Sequence, residues 1–179
     1  MADAVGSRRW VGRVTYGLIA FGLIFMQLLP LNTMPPGWAP PDLLLVVTMV
    51  WVARRPDLVP VLLIAVVFLL TDLLFQRPPG LMTALVLIAT EMLRARAAGL
   101  RNAPFALEWA TVSVMIAGLT LGNRLILAAA MTPQAPLGLT MVQLLMTCLS
   151  YPLIAGLAQL IFGIARPAPG EVNTLGQRI

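Results

Sequence analysis

The sequence predicts an all-helical integral membrane protein with six transmembrane helices and both termini in the cytoplasm. Of its 179 residues, 59% are hydrophobic and only 11% are charged, with a mean hydropathy of +0.90. A soluble domain of this size does not carry such a composition. The apolar runs alternate with short turns rich in proline or arginine, and the arginines fall mainly in every second turn. The first observation predicts the membrane, and the other two predict the spans and their orientation.

The N-terminal segment, residues 1–13, is polar and carries three arginines, which predicts a cytoplasmic location. The apolar run from Val14 to Leu31 is long enough to cross a bilayer. No small-residue cleavage site follows it, so we interpret it as a retained helix rather than a signal peptide. Residues 32–41 contain four prolines and no basic residue, which predicts a loop on the outer side.

The second apolar run, Leu43 to Ala53, is short for a membrane span. About a dozen helical residues cover some 18 Å of a hydrocarbon core that is about 30 Å thick. Asp42 is placed to cap its start, and Arg54 and Arg55 can extend to the interface at its end. We expect a thin or protein-sheltered crossing, and a re-entrant hairpin with the next segment is the competing interpretation.

The remaining runs predict four further spans within a transmembrane domain of residues 14–166, followed by a cytoplasmic tail of residues 167–179. An Arg-Pro-Pro-Gly turn joins the third and fourth spans into a hairpin, because two prolines cannot continue a helix. The fifth and sixth spans are joined by the uncharged turn 132–138, predicted to lie outside. These spans are predicted at Leu58–Phe75, Leu81–Leu93, Phe105–Met131 and Leu139–Ala165.

The distribution of arginine tests this topology. Ten of the twelve arginines fall in the segments that the six-span interpretation places inside, and only Arg77 falls in an outer turn. If the short second run did not cross, every later loop would change sides and the asymmetry would disappear. The positive-inside rule therefore favours six spans with cytoplasmic termini.

Asp72 stands inside the third span, where a carboxylate costs roughly 2.5–3.5 kcal/mol at mid-bilayer. Arg124, in the fifth span, is predicted at a comparable depth, so we expect an intramembrane ion pair between the two side chains. The pair either belongs to a ligand or partner site or only fixes helix packing. It predicts that Asp72→Ala alone is tolerated less well than the double change with Arg124→Ala.

Further polar residues are predicted in the outer half of the membrane. Gln27, Asn123 and Gln143 fall there by the same counting, beneath the turn that carries Arg77, Pro79 and Gly80, so these side chains are candidates for an outward-opening cavity. Two other positions predict close helix packing rather than a site, because their spacing matches a GxxxG step, and these are Gly118 and Gly122.

Two other acids near the predicted inner interface are interpreted as members of local ion pairs. Glu91 has Arg94 three residues later on the same helix face, and Glu108 opens the fifth span near Arg101.

The composition argues against several functional classes. The chain has no histidine and no lysine, and its one cysteine, Cys148, lies in an apolar run. No combination of nucleophile and base, glycine-rich phosphate loop or metal-ligand cluster is present, so we expect neither an enzyme nor a cofactor. The net charge of +5 is spread over several short turns, which indicates membrane topology rather than nucleic-acid binding.

Three short motifs resemble those of a known family. Pro41-Asp42-Leu43-Leu44-Leu45 opens the short second helix, and Thr71-Asp72-Leu73-Leu74-Phe75 precedes a Pro79-Gly80-Leu81 helix start. In a chain of this length with six predicted spans, they resemble the rod shape-determining protein MreD family. The tail from Pro169 to Arg178 is similar to those of alphaproteobacterial members.

The resemblance implies a non-enzymatic scaffold of the bacterial cell-elongation complex, a multi-pass protein of the inner membrane. Such proteins bind MreC and act with MreB filaments, RodA and an elongation-specific penicillin-binding transpeptidase in lateral peptidoglycan synthesis and rod shape. It also implies a fold similar to the substrate-binding subunits of energy-coupling-factor vitamin transporters. Such a subunit is the alternative function, and Asp72, Pro79 and Gly80 are the positions that match the family pattern.

Overall fold

The computed structural model of the chain describes residues 2–29, 39–101, 103–162 and 164. Within these ranges it contains six α-helices, a short 3-10 turn at Pro56–Leu58 and no strand. The predictions for the tip of the first outer loop and for the 167–179 tail, including Arg166 and Arg178, lie outside these residues. The helices are α1 Ala2–Leu28, α2 Leu43–Arg54, α3 Val61–Leu74, α4 Leu81–Arg101, α5 Phe105–Ala129 and α6 Leu137–Phe162.

The predicted all-helical fold class is confirmed, and the helices indicate a membrane protein. Three of them combine the length and the apolar composition that a bilayer crossing requires, namely Arg9–Leu28 of α1, α5 and α6. Two others, α2 and α3, are apolar but shorter. The side chains that α1, α3 and α6 turn away from the bundle are large and apolar, such as Leu18, Leu62 and Leu160, as expected for helices that face lipid.

The six helices run alternately between the two ends of one bundle. The Asp42 backbone at the start of α2 contacts Thr147 of α6, and Arg54 at the end of α2 contacts Ala155, one to two turns further along α6. We call these ends of the bundle the Asp42 end and the Arg54 end. Gly12 of α1 lies against Leu58, so α1 starts at the Arg54 end. The described chain therefore begins and ends on the same side of the bundle.

Helix α2 forms the centre of the bundle. Every residue from Leu44 to Arg54 is buried, and α2 packs against α1, α4 and α6. Its sequence is apolar on all sides, as expected for a helix surrounded by protein. The short helix is thus sheltered over its length, which is the condition that the protein-sheltered interpretation of this segment requires.

The first helix is attached to this centre through one buried tyrosine. The hydroxyl of Tyr16 lies 2.9 Å from Thr48 Oγ1 in the middle of α2, and Thr48 Oγ1 also bonds the Leu44 carbonyl. The Tyr16 ring packs at a tilt against Trp51, with 5.7 Å between the ring centroids. A buried hydroxyl needs such a partner, so Thr48 ties α1 to α2 at a defined depth.

The helix boundaries differ from the predicted ones where local chemistry overrides hydropathy. Helix α1 begins at Ala2, so the polar residues 2–13 continue the helix of the first predicted span. Helix α3 begins at Val61 rather than Leu58, because Pro56 and Pro60 lack the N–H groups that an uninterrupted helix needs. Helix α4 extends beyond its apolar part to Arg101.

Pro152 lies inside α6, and a side chain from α5 compensates for the missing helical hydrogen bond. Proline has no N–H, so the carbonyl of Cys148, four residues earlier, lacks its usual partner. The indole Nε1 of Trp109 donates a hydrogen bond of 2.8 Å to that carbonyl. A freed backbone group in an apolar helix is costly unless another group satisfies it. The proline and the tryptophan therefore form one structural unit.

This unit predicts a coupling between the two residues. Trp109→Phe is expected to lower the free energy of unfolding by about 1 kcal/mol through the lost hydrogen bond. The same change in a Pro152→Ala background should lose less, because the new backbone N–H bonds the Cys148 carbonyl. Reversible unfolding in mixed detergent micelles measures both values, and the packing change of Trp109→Phe cancels in the cycle. Equal losses in the two backgrounds would contradict this coupling.

Candidate functional site

Two turns with left-handed residues shape the Asp42 end of the bundle. After α3, Gln76 has φ of 53° while the Arg77 amide bonds the Asp72 carbonyl. After α5, Met131 has φ of 50° while the Thr132 amide bonds the Leu127 carbonyl. This pattern of hydrogen bonds terminates helices and satisfies their last carbonyls. The turns bring the 76–80 and 131–136 segments over the mouth of the bundle.

Asp72 caps the start of α4 from the end of α3. Its Oδ2 accepts hydrogen bonds from the Gly80 amide at 3.1 Å, from the Thr83 amide at 3.1 Å and from Thr83 Oγ1 at 2.8 Å. The position before α4 is Gly80, which has φ of +85° and no side chain with which to cap the helix. The fully buried carboxylate supplies that cap and lies at the positive end of the helix dipole.

The predicted ion pair between Asp72 and Arg124 is absent from the described structure. Asp72 is engaged at the start of α4, and the Arg124 guanidinium donates from Nη1 to the Ala135 carbonyl at 3.0 Å and to Thr140 Oγ1 at 2.9 Å. Depth along the helices brought the two residues to one level of the bundle. It did not account for the local acceptors and donors that satisfy each charge separately.

A cavity of about 410 Å³ lies at the Asp42 end, between the ends of α2, α4, α5 and α6. Its inner wall is apolar and includes Leu45, Ile116 and Leu119. Its rim carries four threonines and a group of charged and amide side chains, namely Asp42, Gln76, Arg77, Asn123, Arg124, Gln134 and Gln143. A volume of this size is typical of small-molecule sites.

The structure brings some of the predicted cavity residues together and leaves others apart. Arg77, Asn123, Arg124 and Gln143 line the cavity. Gln27 is exposed on α1 and is not part of the lining. Pro79 and Gly80 belong to the turn beside the cavity, where Gly80 contacts Asp72 rather than the cavity.

The predicted GxxxG packing is not seen in the described structure. A Cβ added at Gly118 would meet no atom within 4 Å, and one at Gly122 would meet only Leu85 Cδ2 at 3.7 Å. The GxxxG step therefore does not bring two of the described helices into close backbone contact, because α4 and α5 pack through larger side chains at this level.

Asp42 joins the cap of α2 to the cavity. As predicted, its carboxylate accepts a hydrogen bond from the Leu45 amide at 3.0 Å, and its own amide donates to Thr147 Oγ1 at 3.0 Å. Burial raises the pKa of the Asp42 carboxyl, while the Leu45 amide and the positive charge of Arg77 act in the opposite direction. The link between Asp42 and Arg77 was not evident from the sequence, because 35 positions separate them.

A buried polar network at the Arg54 end was missed by the sequence analysis. Arg54 Nε lies 3.1 Å from Glu108 Oε1, which also accepts a hydrogen bond of 2.7 Å from the Tyr151 hydroxyl. Arg54 Nη1 donates to the carbonyls of Ala155 and Ile164. Both charged residues are at most 5% exposed. The network therefore links α2, α5, α6 and the chain after α6 in a low-dielectric environment.

The two predicted local ion pairs have different outcomes. Glu91 and Arg94 form the expected pair at 3.0 Å, and Arg94 also bonds the carbonyls of Pro56 and Val59. Glu108 instead pairs with Arg54, which the sequence analysis placed at the interface. The side chain of Arg101 lies outside the described residues. The only sequence signal for the long-range pair was an arginine that ends an apolar helix and an acid that begins another.

The site offers no arrangement of metal ligands. Within residues 2–29, 39–101, 103–162 and 164, no group of three or more His, Cys, Asp or Glu side chains is placed to hold a metal ion. What the cavity offers is hydrogen-bond donors and positive charge above an apolar wall, an arrangement suited to binding rather than to acid–base chemistry.

Comparisons of the chain with protein-family models, with curated proteins and with solved structures find no match. The functional argument therefore rests on the residues and on the geometry described above.

Proposed function

We propose that this protein is a non-enzymatic inner-membrane scaffold of the bacterial cell-elongation complex, of the type that the MreD resemblance implies. In this proposal it binds MreC and acts with MreB, RodA and an elongation-specific penicillin-binding transpeptidase to direct lateral peptidoglycan synthesis. The resemblance itself supplies the identity of these partners.

The observation that carries the proposal is the contact between the motif residues. Asp72 and Gly80 belong to separate short motifs in the sequence, and in the structure the Asp72 carboxylate accepts the Gly80 amide. Asp42, from the remaining motif, caps α2 at the same end of the bundle. The residues that carry the resemblance therefore act as two helix caps of one bundle rather than as unrelated apolar matches.

The arrangement of charge supports a topology with six spans and both termini in the cytoplasm. The described arginines at the Arg54 end include Arg9, Arg13, Arg54, Arg55, Arg94 and Arg96. Only Arg77 and Arg124 lie at the Asp42 end. By the positive-inside rule the Arg54 end faces the cytoplasm, and the cavity then opens to the outside.

A second candidate function is supported by the cavity. A substrate-binding subunit of an energy-coupling-factor vitamin transporter needs a pocket that opens outward, and the 410 Å³ cavity at the Asp42 end is large enough for a small molecule. The described lining contains no aromatic side chain, which provides less of the stacking surface that a vitamin ring would use.

The proposal is tested by isolating the tagged full-length protein from gently solubilised membranes of a rod-shaped bacterium and quantifying the co-purifying proteins by mass spectrometry. An unrelated polytopic protein with the same tag is the control. We expect MreC to be enriched over that control, together with RodA and the transpeptidase. MreC at the level of the control would contradict the scaffold proposal, and recovery of paired ATPase subunits would support the transporter alternative.

A variant pair connects this experiment to the structure. Asp72→Asn keeps an acceptor at the start of α4, whereas Asp72→Ala removes it. If the α3–α4 hairpin belongs to the docking surface, Asp72→Ala should reduce the recovery of MreC and Asp72→Asn should largely retain it. Size-exclusion profiles of both variants establish that the comparison is made between folded proteins.

A further inference from the structure

We propose that the cavity at the Asp42 end binds an anionic group, a phosphate or a carboxylate, carried by a partly apolar molecule. This inference goes beyond the scaffold function and does not rest on it. The chemical class follows from the charges, the free donors and the apolar wall of the cavity.

The charged groups of the lining are two guanidinium groups, those of Arg77 and Arg124, and one carboxylate, that of Asp42. The carboxylate is engaged by the Leu45 amide and lies in the field of Arg77. The lining therefore has a net positive charge and no free carboxylate for a cation. In a partly enclosed site that charge is screened less than at an open surface, so it selects for an anion.

Arg124 is held in position for this role. Its Nη1 is bound to the Ala135 carbonyl and to Thr140 Oγ1, and its own carbonyl accepts a hydrogen bond from Gln134 Nε2. Among the described residues, Nε and Nη2 have no acceptor. These two groups form the edge through which arginine binds a carboxylate or phosphate in bidentate fashion. The fixed side chain therefore presents a pre-organised anion-binding edge.

Uncharged donors complete the polar half of the site. The side-chain amides of Asn123 and Gln143 line the cavity and make no hydrogen bond with other described residues. Each amide offers two donors, so both can contact the oxygen atoms of an anion. The threonine hydroxyls contribute less, because Thr140 and Thr147 already bond backbone carbonyls.

The wall beneath these donors favours a ligand with an apolar part. Leu45, Ile116 and Leu119 line it together with Met82, Leu127 and Leu144. A free inorganic ion would leave this surface in contact with water, whereas an anion attached to a hydrocarbon or a ring would cover it. Two sources provide this chemistry: a lipid headgroup that enters with part of its chain, and a water-soluble organic anion.

The test measures binding to the purified full-length protein in a neutral maltoside detergent by native mass spectrometry. The probes are short-chain phosphatidylglycerol, short-chain phosphatidylcholine of the same chain length and hexyl phosphate, with inorganic phosphate as a competitor. We expect phosphatidylglycerol or hexyl phosphate to bind and phosphatidylcholine not to bind. Preference for phosphatidylglycerol identifies a headgroup site, and preference for hexyl phosphate identifies a soluble ligand. Equal binding of the zwitterionic lipid would overturn the proposal.

Variants assign the binding to the cavity. Arg77→Gln removes an exposed charge that makes no hydrogen bond within the described residues, and it should weaken anion binding about tenfold with an unchanged thermal midpoint. Arg124→Gln should weaken it at least as much. The matched control is Arg96→Gln, which removes an exposed charge of α4 at the Arg54 end. If Arg77→Gln and Arg96→Gln had the same effect, nonspecific charge rather than the cavity would explain the binding.

Discussion

Replacing Glu108 with alanine is expected to lower the free energy of unfolding by about 3–5 kcal/mol, because the change leaves the buried Arg54 guanidinium without its counter-charge. Glu108 is 2% exposed and Arg54 is 5% exposed, so water cannot solvate the remaining charge without opening the bundle. The Tyr151 hydroxyl loses its acceptor at the same time. Reversible unfolding in mixed micelles, followed by the fluorescence of the four tryptophans, measures the loss.

The exposed ion pair of α4 provides the matched control. Glu91 is 52% exposed, and Glu91→Ala should change the free energy of unfolding by at most about 1 kcal/mol, since surface pairs contribute little. The double change Arg54→Met with Glu108→Leu should recover most of the loss, because apolar residues of similar volume can replace a buried pair. Equal effects of Glu108→Ala and Glu91→Ala would show that the Arg54 end is hydrated.

Replacing Asp72 with alanine is expected to lower the free energy of unfolding by about 2–4 kcal/mol. The change removes the cap of α4 and leaves the Gly80 and Thr83 amides and the buried Thr83 hydroxyl without an acceptor. Asp72→Asn keeps one oxygen at this position and should lose only about 1 kcal/mol. Hydrogen exchange gives a local measurement, in which the first turn of α4 should lose protection in Asp72→Ala.

The double variant separates this role from the ion pair predicted from sequence. Because Asp72 and Arg124 make separate contacts, the losses from Asp72→Ala and Arg124→Ala should add. The paired interpretation predicts instead that Arg124→Ala rescues part of the Asp72→Ala loss. A clear rescue would therefore contradict the capping role and restore the pair.

Sequence reasoning predicted local contacts more accurately than contacts between distant residues. The cap of α2 by Asp42 and the pair between Glu91 and Arg94 were predicted correctly, because each joins residues three positions apart whose geometry a helix start or a helix face determines. Depth counting also placed Asn123 and Arg124 at the level of the cavity. It could not assign their partners, because helix rotation decides which groups at one depth face each other.

The sequence by itself determined the membrane class, the all-helical fold and the approximate positions of the helices, because hydropathy, proline and charge act locally along the chain. Only the tertiary structure decided that Asp72 caps α4, that Arg54 pairs with Glu108 and that Trp109 satisfies the carbonyl opposite Pro152. In an apolar bundle a polar group bonds whichever partner packing brings within reach. That partner depends on how the helices are arranged around α2, and no spacing in the sequence encodes it directly.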